Sequence, residues 1–273
     1  MGTLRGLLRA THFEPTVAVT AATTALAIQA GRGWGSLWVA VAVLCGQASV
    51  GWSNDWFDAD RDSRAGRIEK PIVAGVISVN TVRRAALIAL LLCIPLSLLS
   101  GWRATLVHMA AIASAWAYNA GFKARLLSPL PYALSFALLP AFVTLGLSQP
   151  HWPRPILMII TAILGVGFHL INTIGDEKAD RMNSVVGLPQ RLGPRASLNV
   201  AVLLFVVAIV ALRRLGNHWA LVSDLLTFGA LGLALGVVWA GHKGRAIAAQ
   251  RFSLGVVGCC LLLFVIEHPA LTA

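Results

Sequence analysis

The sequence predicts an all-α, polytopic membrane protein, with nine transmembrane helices bundled around a central cavity. Three observations carry this. The 273 residues are 57% hydrophobic and only 12% charged, against roughly 25% charged in a soluble domain. Apolar runs near the ~20 residues needed to span a bilayer recur at 15–31, 34–53, 79–100, 102–119, 129–149, 154–174, 196–212, 219–240 and 252–267. The basic residues are also shared unequally between the segments that join these runs.

Ahead of the first run, "MGTLRGLLRATHF" interleaves Arg5 and Arg9 with leucines. That pattern suits a short amphipathic helix lying on the membrane surface. Its apolar stretch is too short, and lacks the small-residue cleavage site, for a signal peptide. The second run leads directly into "NDWFDADRDSRAGRIEKP", the fourth into "YNAGFKAR", and the sixth into "DEKADRMNSVVGLPQRLG". The remaining runs are joined by short loops, so residues 1–273 are expected to form a single integral-membrane domain. Cys45, Cys93, Cys259 and Cys260 lie inside apolar runs without metal or redox spacing and read as small buried hydrophobes.

With the N-terminus placed in the cytoplasm, Arg32, Arg103, Arg154, Arg213 and Arg214 fall on the far side. The other Lys and Arg, of 22 in total, are cytoplasmic. This is the positive-inside asymmetry, and it accounts for the net charge of +11 without a nucleic-acid partner. It also puts the loops after the second, fourth and sixth runs on the cytoplasmic side.

The acids are concentrated rather than scattered. Of 11, Asp55, Asp58, Asp60 and Asp62 follow the second run, and Asp176, Glu177 and Asp180 follow the sixth. The two clusters lie about four spans apart, so the chain reads as two four-helix halves with a ninth helix added. In a helix, positions three and four apart share a face. Asn54, Asp55, Asp58 and Asp62 therefore align, while Asp60 points elsewhere and reads as solvated, as does Glu177. Asp176 and Asp180 align likewise, and the same face continues through Asn172 to His169.

Carboxylates stacked at this spacing repel each other, more so near a membrane, and a cation between them relieves the repulsion. An oxygen-rich donor set selects a hard ion: Mg²⁺, Mn²⁺ or Ca²⁺. Two such clusters in one site suit two ions bridged by a diphosphate. Arg61, Arg64, Arg67 and Lys70 follow the first cluster, and Lys178, Arg181 and Arg191 the second, with Lys123 and Arg125 after the fourth run. Each of these is equally well explained by topology alone. As a set they form a clamp for a departing phosphate.

These residues resemble the UbiA-type intramembrane prenyltransferases. The family's first motif, N-D-x-x-D-x-x-x-D, is matched by Asn54, Asp55, Asp58 and Asp62, and Lys70, Pro71 and Gly75 fit the loop after it. Its second motif, D-x-x-x-D, is matched by Asp176 and Asp180, although the acid often found after Asn172 is replaced by Thr173. "VGLPQRLG" is similar to the family's T-L-P-x-R-L-G. Tyr118 and Lys123 match a Tyr and a Lys near the substrate diphosphate, and Arg9 is a weaker match to an Arg before the first helix.

The resemblance implies Mg²⁺ (Mn²⁺ as a substitute) held by Asn54, Asp58, Asp62, Asp176 and Asp180. It implies an allylic isoprenyl diphosphate donor gripped with help from Asp55, Arg67, Lys70, Lys123 and Arg181. An apolar or aromatic acceptor would then attack the carbocation, in lipoquinone or prenyl-lipid synthesis. Asn172 and His169 are candidate substrate contacts, although a core polar contact explains His169 equally well. Aromatic residues such as Trp56, Trp116, Phe136 and Phe168 can face the cation or simply pack. A membrane terpene cyclase would need the same metal motifs. A cation transporter would place its acids near mid-span on broken helices, whereas here they sit at helix ends.

Overall fold

The computed structural model describes residues 2–176, 180, 183, 185–216 and 221–267. Among them the chain is all-helical. A short α1 (Gly2–Ala10) precedes α2 (Phe13–Gln29), α3 (Gly35–Arg64), α4 (Val79–Leu98), α5 (Trp102–Asn119), α6 (Pro129–Thr144) and α7 (Pro155–Ile174). A five-residue helix, α8 (Leu188–Leu192), leads into α9 (Pro194–Leu215), α10 (Leu221–His242) and α11 (Ala246–Glu267).

The boundaries follow local chemistry. Pro129, Pro155 and Pro194 open α6, α7 and α9, where the missing N–H costs nothing and the fixed φ suits a first turn. Ser78 caps α4 by accepting a hydrogen bond from the Thr81 amide at 3.2 Å. Six described helices, α3, α4, α7, α9, α10 and α11, are long and apolar enough to cross a membrane. The other three expected stretches are occupied by α2, α5 and α6, of 17, 18 and 16 residues. Helix α2 is less apolar because it carries Thr16, Thr20, Thr23 and Thr24. The Thr20, Thr23 and Thr24 hydroxyls each donate to the carbonyl one turn back, at 2.7–2.9 Å, which satisfies them in apolar surroundings.

The helices form a closed ring. Going round it, α2 packs on α3, α3 on α5, α5 on α6, α6 on α7, α7 on α9, α9 on α10, α10 on α11, and α11 returns to α2. Helix α4 lies against α3 and α5. Large apolar side chains such as Phe142, Ile160, Leu170, Phe205 and Ile209 are fully buried between helices. Others, including Leu91, Leu106, Leu203 and Leu235, are exposed on the outer surface, as lipid-facing positions require.

Helix α3 runs further than the apolar stretch 34–53. Its 30 residues make about 45 Å of helix, against a hydrocarbon core of about 30 Å. The C-terminal turns thus continue past the apolar segment in unbroken helix, and these turns carry the first acidic cluster.

Candidate active site

The helix ring encloses a cavity of about 640 Å³, and nearly every candidate residue lies on its wall. Helix α3 contributes one stripe: Gln47, Val50, Gly51, Asn54, Asp55, Asp58 and Arg61. Helical periodicity alone places these positions on one face. Tyr118 and Lys123 come from the end of α5 and the turn after it, and Asn172 and Asp176 from α7 and its end. Asp58, Asp55 and Asp62 are 3–5% exposed, which their partners make tolerable.

Those partners are cations that join the two acidic clusters. Arg61 bonds Asp58 at 2.5 Å and approaches Asp180 at 3.7 Å. Arg67 reaches Asp62 at 3.3 Å and Asp176 at 2.9 Å. Lys123 pairs with Asp58, and Lys70 donates to Asp55 at 2.6 Å. The acids from α3 and those after α7 therefore face each other across a gap that one guanidinium spans. Helix α7 ends at Ile174, but the Asp180 amide donates to the Asp176 carbonyl at 2.8 Å, so these acids remain one turn apart.

Neutral side chains set the orientation of the acids. Asn54 donates to Asp58 at 3.4 Å and to the Asn119 carbonyl oxygen at 3.2 Å. Asn119 is anchored in turn on Ser53 and the Val50 carbonyl. Gln190, on α8, donates to Asp180 at 2.8 Å and accepts from the Gly187 amide at 3.1 Å. The "VGLPQRLG" segment thus acts on the second cluster through its glutamine.

Burial dominates the ionisation of groups outside the spans. It pushes the Asp180 carboxyl up to about 6 against the opposing pull of Arg61, while Asp176 pushes it further up. Burial also lowers Lys123, opposed by Asp58. Burial acts to lower Arg67 too, but Asp176, Glu69 and Asp62 outweigh it, so that guanidinium is held firmly protonated.

Asp62 is buried beneath Arg67 and is not on the cavity wall. Asp60 is exposed, as expected. His169 is fully buried but stands behind the wall, with its ring packed against Tyr118 and Tyr132 and its Nε2 3.4 Å from Ser128 Oγ. Its position on the Asp176 face of α7 does not bring it to the cavity, because the two tyrosines intervene. Arg9 lies at the exposed rim and donates to the Glu69 carbonyl at 3.0 Å. Arg181, Glu177 and Lys178 lie outside the described residues.

Several site residues give weaker signals in the sequence. His12, between α1 and α2, has φ +53°, the one non-glycine residue with positive φ among those described. Its Nε2 lies 3.1 Å from Asp55 Oδ1. Backbone strain of this kind tends to collect at functional sites. Tyr132 and Gln250 join Asn172 on the wall: Gln250 donates to Asn172 Oδ1 at 3.0 Å. Below these groups the lining turns apolar. Pro15, Val19, Phe136 and Phe168 are shared with a second pocket formed by α2, α6, α7 and α11, which has Leu26, Leu164 and Phe264 among its lining residues.

The donor set, carboxylate and amide oxygen, suits a hard divalent ion, and arginine and lysine side chains fill the spaces between the acids. Among the described residues no three acids, histidines or cysteines converge on one point. An ion held here would therefore draw further oxygens from elsewhere. Mg²⁺ commonly binds in this way, with one or two carboxylates and the rest from phosphate and water.

The UbiA prenyltransferase family model matches residues 16–265, whereas no curated protein matches the sequence. A solved UbiA homologue from Archaeoglobus fulgidus bound to GPP and Mg²⁺ is 15% identical. The match covers 96% of this chain and 98% of that one, with a TM-score of 0.69. An apo UbiA homologue from Aeropyrum pernix K1 is 18% identical over 93% and 98% of the two chains, with a TM-score of 0.74. A structure from work on digeranylgeranylglyceryl phosphate synthase is 19% identical over 98% and 99%, with a TM-score of 0.68. At these identities the likeness is one of fold.

Proposed function

The chain belongs to the UbiA prenyltransferase family, and from that premise we propose that it transfers an isoprenyl chain from an allylic diphosphate to an electron-rich, aromatic acceptor in prenyl-lipid or lipoquinone synthesis. The observation that carries this is the pair of arginine bridges between the acidic clusters, set at one end of a cavity that turns apolar further in. Such a cavity suits a molecule with a charged head and a greasy tail. The Archaeoglobus fulgidus homologue bound to GPP or DMAPP with Mg²⁺ supports an allylic diphosphate as the donor.

In this reading Asn54, Asp58, Asp176 and Asp180 would hold Mg²⁺, with Mn²⁺ as a substitute, and Asp62 would join them once Arg67, which covers it, moves aside. When bound, the ion supplies Lewis-acid neutralisation of the diphosphate. Arg67, Lys70 and Lys123, with Arg9 at the rim and Arg181 beyond the described residues, receive the negative charge that builds on the leaving diphosphate as the C–O bond ionises. Tyr118 and Phe168 line the wall and are aromatic side chains available to stabilise the allylic cation. Phe136, Leu164 and Phe264 take the isoprenyl chain. The acceptor ring attacks the allylic carbon and then loses a proton. The full topology we propose has nine crossings in one domain, as two four-helix halves plus one, with the N-terminus and the acidic loops cytoplasmic.

The test uses purified protein with geranyl, farnesyl and geranylgeranyl diphosphates. Pyrophosphate release should require Mg²⁺ or Mn²⁺ and be lost in both Asp58→Ala and Asp176→Ala. Full activity in those variants would remove the two-cluster site. Mass spectrometry then separates transfer from cyclisation, because only a cyclase forms its product without acceptor.

A further inference from the structure

The cavity's charge is confined to its mouth. Arg61, Arg67, Lys70 and Lys123 are each engaged by a carboxylate, and Arg9 sits at the exposed rim. Further in, the wall remains polar but carries no charge. Asn172 stands one turn below Asp176 on α7 and accepts from Gln250, while Tyr132 shares a hydrogen bond with Asn172. Gln47 lies on α3 two turns below Asn54. It lines the cavity, and its amide has no hydrogen-bond partner among the described residues. The Gln47 side chain is half-buried and lines the cavity, so its amide is available to a ligand bound there.

A diphosphate held between Asp58 and Asp176 directs its allylic carbon inward, toward this neutral wall. The acceptor must reach that carbon, so it lies among Gln47, Asn172, Tyr132 and Gln250. We infer that the acceptor is an uncharged molecule bearing a hydroxyl or carbonyl group read by Gln47 and the Asn172–Gln250 pair, and that carboxylate-bearing acceptors are rejected. A carboxylate placed there meets no uncommitted cation, because Arg67, beside Asp176, is already held by Asp62, Glu69 and Asp176, and a buried unpaired charge is far more costly than a buried amide. This inference rests on the transfer reading above.

The experiment compares matched acceptors, 4-hydroxybenzamide and 4-hydroxybenzoate, with geranylgeranyl diphosphate and Mg²⁺. The readout is the ratio of kcat/KM for the two prenylated products. Wild type should favour the amide by at least about tenfold, the usual scale for one hydrogen bond to a charged or buried polar group. Gln47→Arg should lower that ratio at least about tenfold by supplying the missing cation, and Gln250→Lys should move it the same way. Because the ratio is taken within one preparation, a partly misfolded fraction cancels. A wild-type preference for the benzoate, a ratio unmoved in both variants, or transfer to neither acceptor while pyrophosphate is released would each overturn the inference. A cyclised product formed without acceptor would instead remove the transfer reading, and this inference with it.

Discussion

The Arg67 guanidinium lies 2.9 Å from the Asp176 carboxylate and so ties the loop after α3 to the acids after α7. Its other nitrogens contact Asp62 and Glu69, so the planar fork is used on three sides. Lysine keeps the charge but not the fork. Arg67→Lys should therefore raise the KM for geranyl diphosphate by about tenfold, the scale of one lost charge-assisted hydrogen bond. Arg67→Ala should raise it further. Steady-state kinetics at saturating Mg²⁺ decide the matter, and a lysine variant indistinguishable from wild type would show that charge alone suffices.

Helix periodicity made much of this site legible. Asn54, Asp55 and Asp58 share a face because α3 stays helical through them, and Asp176 and Asp180 keep the one-turn spacing that their positions imply. What periodicity does not reveal is which neighbour covers a face. His169 shares the Asp176 face, yet Tyr118 and Tyr132, from α5 and α6, screen it from the cavity. Gln250 lies far along the chain and meets Asn172 only because the ring closes α11 against α7 and α2. The apolar stretch 34–53 likewise understated α3, because hydropathy marks where a helix leaves lipid and not where it ends.

His12 holds a left-handed backbone conformation, φ +53°, at the junction of α1 and α2. Asparagine tolerates that region, while a β-branched residue does not. His12→Asn should therefore keep near-wild-type thermal stability in detergent, and His12→Val should lose about 1–3 kcal/mol. Equal melting temperatures for the two variants would show that the junction relaxes freely. Both variants leave Asp55 paired with Lys70.

Gly51 is the point where that junction rests on α3. A Cβ there would sit 2.5 Å from the Thr11 carbonyl oxygen and 3.0 Å from its Cα. Alanine in a helix gains about 1 kcal/mol over glycine, but backbone that must move aside costs about 1–3 kcal/mol. The clash should dominate. Gly51→Ala is expected to lower the melting temperature and, by shifting Arg9 and His12 at the rim, to raise the donor KM. A stabilised variant with unchanged KM would show that the junction is not fixed at this contact.

Asp180 gives the site a pH dependence whose sign can be worked out. Burial, opposed by Arg61 and reinforced by Asp176, raises its carboxyl from 3.8 to about 6. Below that value the group is protonated, and a divalent ion must displace the proton to bind there. The Mg²⁺ concentration for half-maximal activity should therefore be nearly flat above pH 7. It should climb as pH falls through 6, approaching about tenfold per pH unit for one displaced proton. Stability without metal runs the other way. A raised carboxyl binds its proton more tightly when folded, so its contribution is complete below 3.8 and is lost as pH rises through about 6. Asp180→Asn removes both effects at once: it should need more Mg²⁺ at neutral pH, with a requirement that no longer steepens below pH 6. Magnesium titrations of pyrophosphate release at pH 5.5, 6.5 and 7.5, on wild type and variant, separate this from general acid inactivation, which would depress both proteins equally.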